Sequence, residues 1–195
     1  MSEDQLELFE SYRYSAFKQG DVGEILTSSA LRSKCNMEVI RNVYLPYDGH
    51  YTEIDMIGVS EVGIFVIENK NYNGVVIGDI SDKYWSIDYR LNSTKLYNPV
   101  LQNNLHKAIV KNYLILNGVV DLPIFSPVIF NDKALLKVTN TDKYVFTLTE
   151  FVDAYNSVES RKLSKSDISS IVELFRNLGN ISIEMRTLHV SLLRE

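Results

Sequence analysis

The chain has 195 residues, 45% of them hydrophobic and 23% charged, with a formal net charge of -5. That is the composition of an ordinary soluble globular protein, long enough for one well-packed domain, and it excludes a broad basic surface that grips duplex DNA non-specifically. The single cysteine, Cys35, excludes an intramolecular disulfide framework and a cysteine-rich zinc site, and fits a reducing cytoplasm.

The acidic start Met1-Ser2-Glu3-Asp4 lacks the basic and apolar regions of a signal peptide, and no apolar run reaches the length of a membrane span. Residues 3 to about 19 carry Leu6, Phe9, Arg13 and Phe17 at helical spacing. Gly20-Asp21 reads as a stop followed by a new N-cap. Asp21 to Glu24 has capping-box spacing, and Val22, Ile25, Leu26, Ser29 and Ala30 continue an amphipathic helix to about Lys34. Glu38 to Leu45 alternates as a strand, and Pro46-Tyr47-Asp48-Gly49 supplies turn chemistry. Thr52 to Val59 and Ile64 to Lys70, joined across Ser60-Glu61-Val62-Gly63, read as a β-hairpin.

After the turn at Asn73-Gly74, short strands are expected over 75–78 and 84–89, while 91–97 reads as irregular. Asn98 and Pro99 predict a helix start, with Asn98 as N-cap. That helix runs to about Leu116, with Leu101, Leu105, Ala108, Ile109 and Leu116 inward, and Asn117-Gly118 closes it. Pro123 to Phe130 reads as one buried strand, weakened by Pro127. Strands follow over 135–139 and 144–149, with Thr149 expected to cap a short helix through Tyr155. Ser164 or Ser166 begins a longer helix carrying Ile168, Ile171, Val172, Phe175 and Leu178 inward and stopping at Gly179. The tail 180–195 fits strand or helix. With no repeat or linker, the expectation is one domain over 1–195, of α/β (α+β-like) class. It has a central mixed sheet with a three-stranded meander, flanked by helices.

The hairpin carries charge where a buried strand should carry none. Side chains alternate with period two, so Ile64, Val66, Glu68 and Lys70 share one face, as do Glu53, Asp55, Ile57 and Val59. Charges on an apolar face are costly unless paired or functional. Two carboxylates and one lysine leave a charge uncompensated without a cation, which argues against a purely structural ion pair. Asp55 and Glu68 are oxygen ligands of the type Mg²⁺ prefers, and the backbone carbonyl of Asn69 offers a third. Glu53 reads as peripheral.

Four segments in this order carry a resemblance. They are Gly23-Glu24, Glu53-Ile54-Asp55, Glu68-Asn69-Lys70-Asn71-Tyr72-Asn73-Gly74 and Asn98-Pro99-Val100-Leu101-Gln102-Asn103. Together they resemble the nuclease-related domain (NERD) family, which is similar in turn to the PD-(D/E)xK superfamily of restriction-type nucleases. The resemblance covers residues 20 to 115 well, within a motif-bearing core of about 20–130, with C-terminal strands and helices over about 131–195.

It implies a restriction-endonuclease-like core and Mg²⁺-dependent hydrolysis of DNA phosphodiesters, with Mn²⁺ as a substitute. Cleavage by metal-activated water would leave a 5′-phosphate and a 3′-hydroxyl. Asp55 and Glu68 would hold the metal and Lys70 would position water and stabilise the transition state. Gln102 would donate to a phosphate or scissile oxygen, and Glu24 would assist from its helix. Each has a plainer reading: Glu24 as partner of Asp21 in the capping box, Gln102 as a solvated first-turn residue. His106, at i+4 from Gln102, reads as a surface or half-buried histidine. Tyr72 fits a turn residue or a stacking ring, and Lys18, Arg32, Lys34, Lys107 and Lys111 read as solvated. The alternative to a nuclease is a catalytically silent module that keeps the fold and binds nucleic acid or protein. A homo-oligomer or a specificity-giving partner is compatible with both.

Overall fold

The computed structural model describes residues 21–141, 144–160 and 162–178. The helix expected over 3–19, the stop at Gly179 and the tail 180–195 lie outside the described residues. A helix over 21–35 (α1) leads into a meander of β1 (Glu38–Tyr47), β2 (His50–Ser60) and β3 (Gly63–Lys70). Asp48 and Gly49, both at positive φ, form the two-residue turn between β1 and β2, the backbone hand that matches strand twist. Then come β4 (Val75–Asp79), β5 (Tyr84–Asp88), β6 (Ser93–Tyr97) and helix α2 (Pro99–Leu116). Strands β7 (Ile124–Phe125), β8 (Val128–Phe130), β9 (Leu135–Thr139) and β10 (Val145–Thr147) precede helices α3 (Leu148–Asn156) and α4 (Lys165–Arg176).

The strands form two sheets. The larger is mixed, in the order β1-β2-β3-β8-β10, with the meander antiparallel and β8 and β10 parallel to β3. Its edges of order are covered by helices on both faces. Ile109, Val110 and Leu114 of α2 and Ile171, Val172 and Phe175 of α4 pack with Ile57, Val59, Ile64 and Val66. Leu31 and Cys35 of α1 and Phe151, Val152 and Tyr155 of α3 pack with Met56, Phe65 and Ile67 on the other face. The second sheet, β6-β5-β4-β9, lays Val76, Trp85, Ile87 and Leu96 against Val100, Val128 and Phe130. The fold is therefore α+β with mixed sheets flanked by helices. Among the described residues no helix is long and apolar enough to cross a membrane.

Several local expectations need correcting. Residues 93–97 are a strand, paired with β5, because Leu96 has an apolar pocket to fill opposite Trp85. Pro123 to Phe130 is broken into β7 and β8 around Ser126-Pro127, since Pro127 has no N–H to donate; its carbonyl instead accepts from Glu68 N–H at 3.1 Å. Thr147, not Thr149, caps α3, in a reciprocal capping box with Glu150. The inward face of α2 is Val100, Asn103, His106, Ile109, Val110 and Leu114, whereas Leu101, Leu105, Ala108 and Leu116 are exposed. A polar pair stands on the buried stripe, so an apolar count rotates the helix the wrong way. In α1 the same error occurs: Gly23, Thr27, Ser28 and Leu31 are buried, and Val22, Ile25 and Leu26 face out.

Asn98 holds the junction between the sheets and α2. It is fully buried, its Oδ1 accepts from Val100 N–H at 2.9 Å, and its Nδ2 donates to the carbonyls of Ile80 (3.0 Å) and Asp82 (2.7 Å). Asn98→Ala removes the cap and leaves two carbonyls without that donor. The expected loss is about 2–4 kcal/mol, read from denaturant unfolding. A loss under about 0.5 kcal/mol shows that the cap is not what anchors the helix.

Candidate active site

The site lies where β2 and β3 part company. Their ladder ends at Met56 opposite Ile67. Beyond it, the Asp55 side chain takes over the pairing: Asn69 N–H donates to Asp55 Oδ2 at 2.8 Å. On the other side of β2, the β1 ladder runs to Arg41 opposite Met56 and resumes at Val43 opposite Ile54. Between them Asn42 adopts positive φ, a conformation asparagine tolerates better than most residues. The alternation shifts there: Ile54 and Ile57, an odd number apart, share one core cluster. Strict period-two reading of Glu53, Asp55, Ile57 and Val59 as one face therefore fails between Ile54 and Ile57.

Glu68 is only 1% exposed, on the side of β3 that faces α2. Lys70 Nζ donates to Glu68 Oε1 at 2.6 Å, and its second contact is Gln102 Oε1 at 3.5 Å. His106, one turn along α2 and also buried, places Nδ1 3.3 Å from Glu68 Oε2 and Nε2 3.4 Å from Thr52 Oγ1. The approach to Glu68 is close but poorly aligned, so Glu68 Oε2 and His106 Nδ1 are both buried without a hydrogen bond. Gln102 thus reaches the site, though not because leucines share its face. It borders the stripe of Asn103 and His106.

Burial and helix placement set the electrostatics. Burial alone drives the Glu68 carboxyl upward, but His106 and Lys70 outweigh it and hold it below its ordinary value. Burial likewise opposes the Lys70 ammonium, and Glu68, with help from Asp55, overrides it and raises its pKa. Asp55 is the exception. Burial, then the neighbouring Glu68 charge, raises its carboxyl well above the usual range, against the opposing pull of Asn69 N–H and Lys70. One carboxylate is compensated and the other is not.

Two further residues come in from α1. Glu24 lies 3.9 Å from Arg41 Nη1 and adds to the field at Asp55. Thr27 Oγ1 donates to Asn69 Oδ1 at 2.8 Å, which ties the helix to the end of β3. The helix comes this close because Gly23 has no side chain; a Cβ there would stand 2.7 Å from Asn71 Cβ. Asp55, Glu68, Asn69, Lys70 and Gln102 are therefore gathered at one point, with Glu24 at its edge. The residues that sequence reasoning underrated are His106 and Asn103. Asn103, fully buried, donates from Nδ2 to the carbonyls of Val66 (3.0 Å) and Pro127 (2.9 Å), and so locks α2 to β3. Their signal was i, i+3 spacing on α2, hidden because polar residues were counted as outward. Burial pushes the Cys35 thiol up to about 11, which leaves it a core side chain rather than a nucleophile.

Among the described residues no three His, Cys, Asp or Glu side chains converge to hold a metal ion. Two acidic side chains do converge, and one buried oxygen, Glu68 Oε2, has no hydrogen bond. That donor set suits Mg²⁺, which is bound through one or two carboxylates with water and substrate phosphate rather than in an all-protein cage.

Comparison with known proteins follows the same outline. The nuclease-related domain pattern matches residues 19–131. An uncharacterized protein of Bacillus anthracis is 29% identical over 184 residues, covering 90% of this chain and 84% of that protein. No solved structure matches the chain significantly. The matched segment holds every residue gathered at the site, and the chain belongs to the nuclease-related domain family, within the PD-(D/E)xK-like nuclease superfamily.

Proposed function

We propose that the chain is a Mg²⁺-dependent nuclease that hydrolyses phosphodiester bonds of DNA at Asp55, Glu68 and Lys70. The observation that carries this reading is the uncompensated pair of acids beside a fixed ammonium: Asp55 is held far from its ordinary value where Glu68 and Lys70 already neutralise each other. A divalent cation held by the carboxylates of Asp55 and Glu68, with the Asn69 carbonyl as a further oxygen, supplies Lewis acidity toward water and phosphoryl oxygen. The rest is done by the chain. Glu68 holds the Lys70 ammonium in place, so its charge is already oriented toward a phosphoryl group and need not reorganise during reaction. Gln102 accepts from Lys70 through Oε1, which leaves its amide N–H groups to donate to a phosphate oxygen. Glu24, facing Arg41, is the acid available at the rim to orient water.

The second reading is a silent module. It is favoured by the short Lys70–Glu68 contact, which satisfies both groups as a structural ion pair. One experiment separates them. Plasmid and single-stranded DNA are incubated with purified protein and Mg²⁺ or Mn²⁺, with EDTA as control. Cleavage that EDTA abolishes, and that falls at least about 100-fold in Glu68→Gln, supports the nuclease. Equal cleavage by wild type and variant, or none by a folded wild type, supports the silent module.

A further inference from the structure

Beside the site, an open cleft of about 420 Å³ is lined by Asn73, Gly74, Val75, Asp88, Tyr89, Arg90, Lys133 and Leu135. Its size falls within the usual range of small-ligand sites. We infer that this cleft is a nucleotide subsite, in which Arg90 and Lys133 hold a phosphate of single-stranded nucleic acid and Tyr89 stacks on an unpaired base. The inference rests on the nuclease reading for its place in the reaction, but its binding chemistry stands apart from catalysis.

Charge is the first argument. In a chain of net charge -5, Arg90 and Lys133 are exposed and form no ion pair among the described residues. The acids that stand next to them are engaged elsewhere. Asp88 accepts from Ser93 Oγ at 2.6 Å, and Asp132 accepts from Thr149 N–H and Oγ1 at 2.8 and 3.0 Å. Two cations are thus left facing one opening, next to an exposed tyrosine and the apolar floor of Val75 and Leu135. A phosphate with a flat ring attached matches that surface.

Position is the second argument. Asn131 clips the cleft to the candidate site: its N–H donates to the Lys70 carbonyl at 3.2 Å, and its Nδ2 donates to Asn71 Oδ1 and the Tyr72 carbonyl at 2.9 and 2.7 Å. The same asparagine accepts from Lys133 N–H at 2.8 Å, and Leu135 N–H donates to the Gly74 carbonyl at 3.1 Å. Lys70 and Gly74 are at most about 14 Å apart along the chain. Tyr72 stands between, within electrostatic reach of both Lys70 and Tyr89. A strand with its phosphate at Lys70 passes the cleft within a few nucleotides. Duplex bases are held in their stack, so a stacking tyrosine selects for a single strand.

The test is fluorescence anisotropy of a labelled oligo-dT strand and of a duplex of equal length, with intact protein in EDTA so that nothing is cleaved. Single strand is expected to bind more tightly than duplex. Tyr89→Ala is expected to weaken it about five- to hundredfold, with Tyr89→Phe close to wild type. Arg90→Ala with Lys133→Ala flattens the salt dependence by about 1.4 log units per log unit of salt, and Lys165→Ala, on α4, leaves it unchanged. Thermal melts confirm that each variant is folded. Preference for duplex, binding insensitive to Tyr89 and the cation pair, a heparin probe that binds as tightly as the strand, or no binding at all overturns the subsite. Tyr89-dependent binding without cleavage in Mg²⁺ overturns the nuclease reading alone. Cleavage with Tyr89-insensitive binding overturns only the subsite.

Discussion

Lys70→Ala is expected to lower the free energy of unfolding by about 3–5 kcal/mol and to abolish cleavage. The size follows from burial. Glu68 and Lys70 side chains are 1% and 16% exposed, so the pair is not the surface kind that contributes about 0–1 kcal/mol. Removing the ammonium leaves Glu68 charged in a low-dielectric pocket with His106 as its nearest polar neighbour. Sequence alone predicts a variant that loses activity and keeps its melt; the buried geometry predicts that both suffer. The double variant Glu68→Leu with Lys70→Met separates the effects, because matched apolar residues often replace a buried pair at little cost. It should recover most of the lost stability in chemical denaturation and none of the cleavage. If Lys70→Ala unfolds within about 0.5 kcal/mol of wild type, the pair is not buried as described.

Asp55→Asn is expected to act in the opposite sense on stability while also abolishing cleavage. The amide oxygen still accepts from Asn69 N–H, so the end of the β2–β3 ladder keeps its bond. Burial and Glu68 raise the folded-state pKa of Asp55 above its unfolded value, so the folded protein binds the extra proton between the two. By linkage, the stability from this group is fully present below the ordinary aspartate value, about 4, and is lost as pH rises toward the raised folded value. Glu68 has the reverse sign. Its lowered pKa contributes stability above about 4.3 that is lost as pH falls through the lowered value.

In EDTA, the wild-type melt should therefore decline as pH climbs from about 4 across the Asp55 window, and Asp55→Asn should flatten that decline. A divalent cation should reverse it. Mg²⁺ at tenfold its Kd contributes about 1.4 kcal/mol, or about 3–6 °C in Tm, to wild type and nothing to Asp55→Asn. Equal Mg²⁺ shifts in both proteins would remove Asp55 from the ligand set.

Where residue type dictates local geometry, the chain was legible. Asn98-Pro99 marks the start of α2, Asp48-Gly49 the turn of the meander, and the Ser164 box with Asp167 the start of α4. Asp55, Glu68 and Lys70 stood out because charge on an apolar strand is costly anywhere. The faces of helices were less legible. Leu101 and Leu105 are apolar and exposed, whereas Asn103 and His106 are polar and buried. Burial of a polar group depends on partners distant in the chain: for Asn103, carbonyls 37 and 24 positions away, and for His106, Glu68 and Thr52. No window of neighbouring residues contains those partners.

Residue order alone thus sets the acids and the lysine on one hairpin, since spacing along a strand determines which side chains are neighbours on β3. Packing in three dimensions decides what they become. The positive φ of Asn42 and the end of the ladder at Met56 turn Asp55 toward the Asn69 amide, and α2 brings Gln102 and His106 to Lys70 and Glu68. Only then does one carboxylate find its counter-charge while the other is left without. A pKa depends on the field of every nearby group, and that field exists only once the helices are docked.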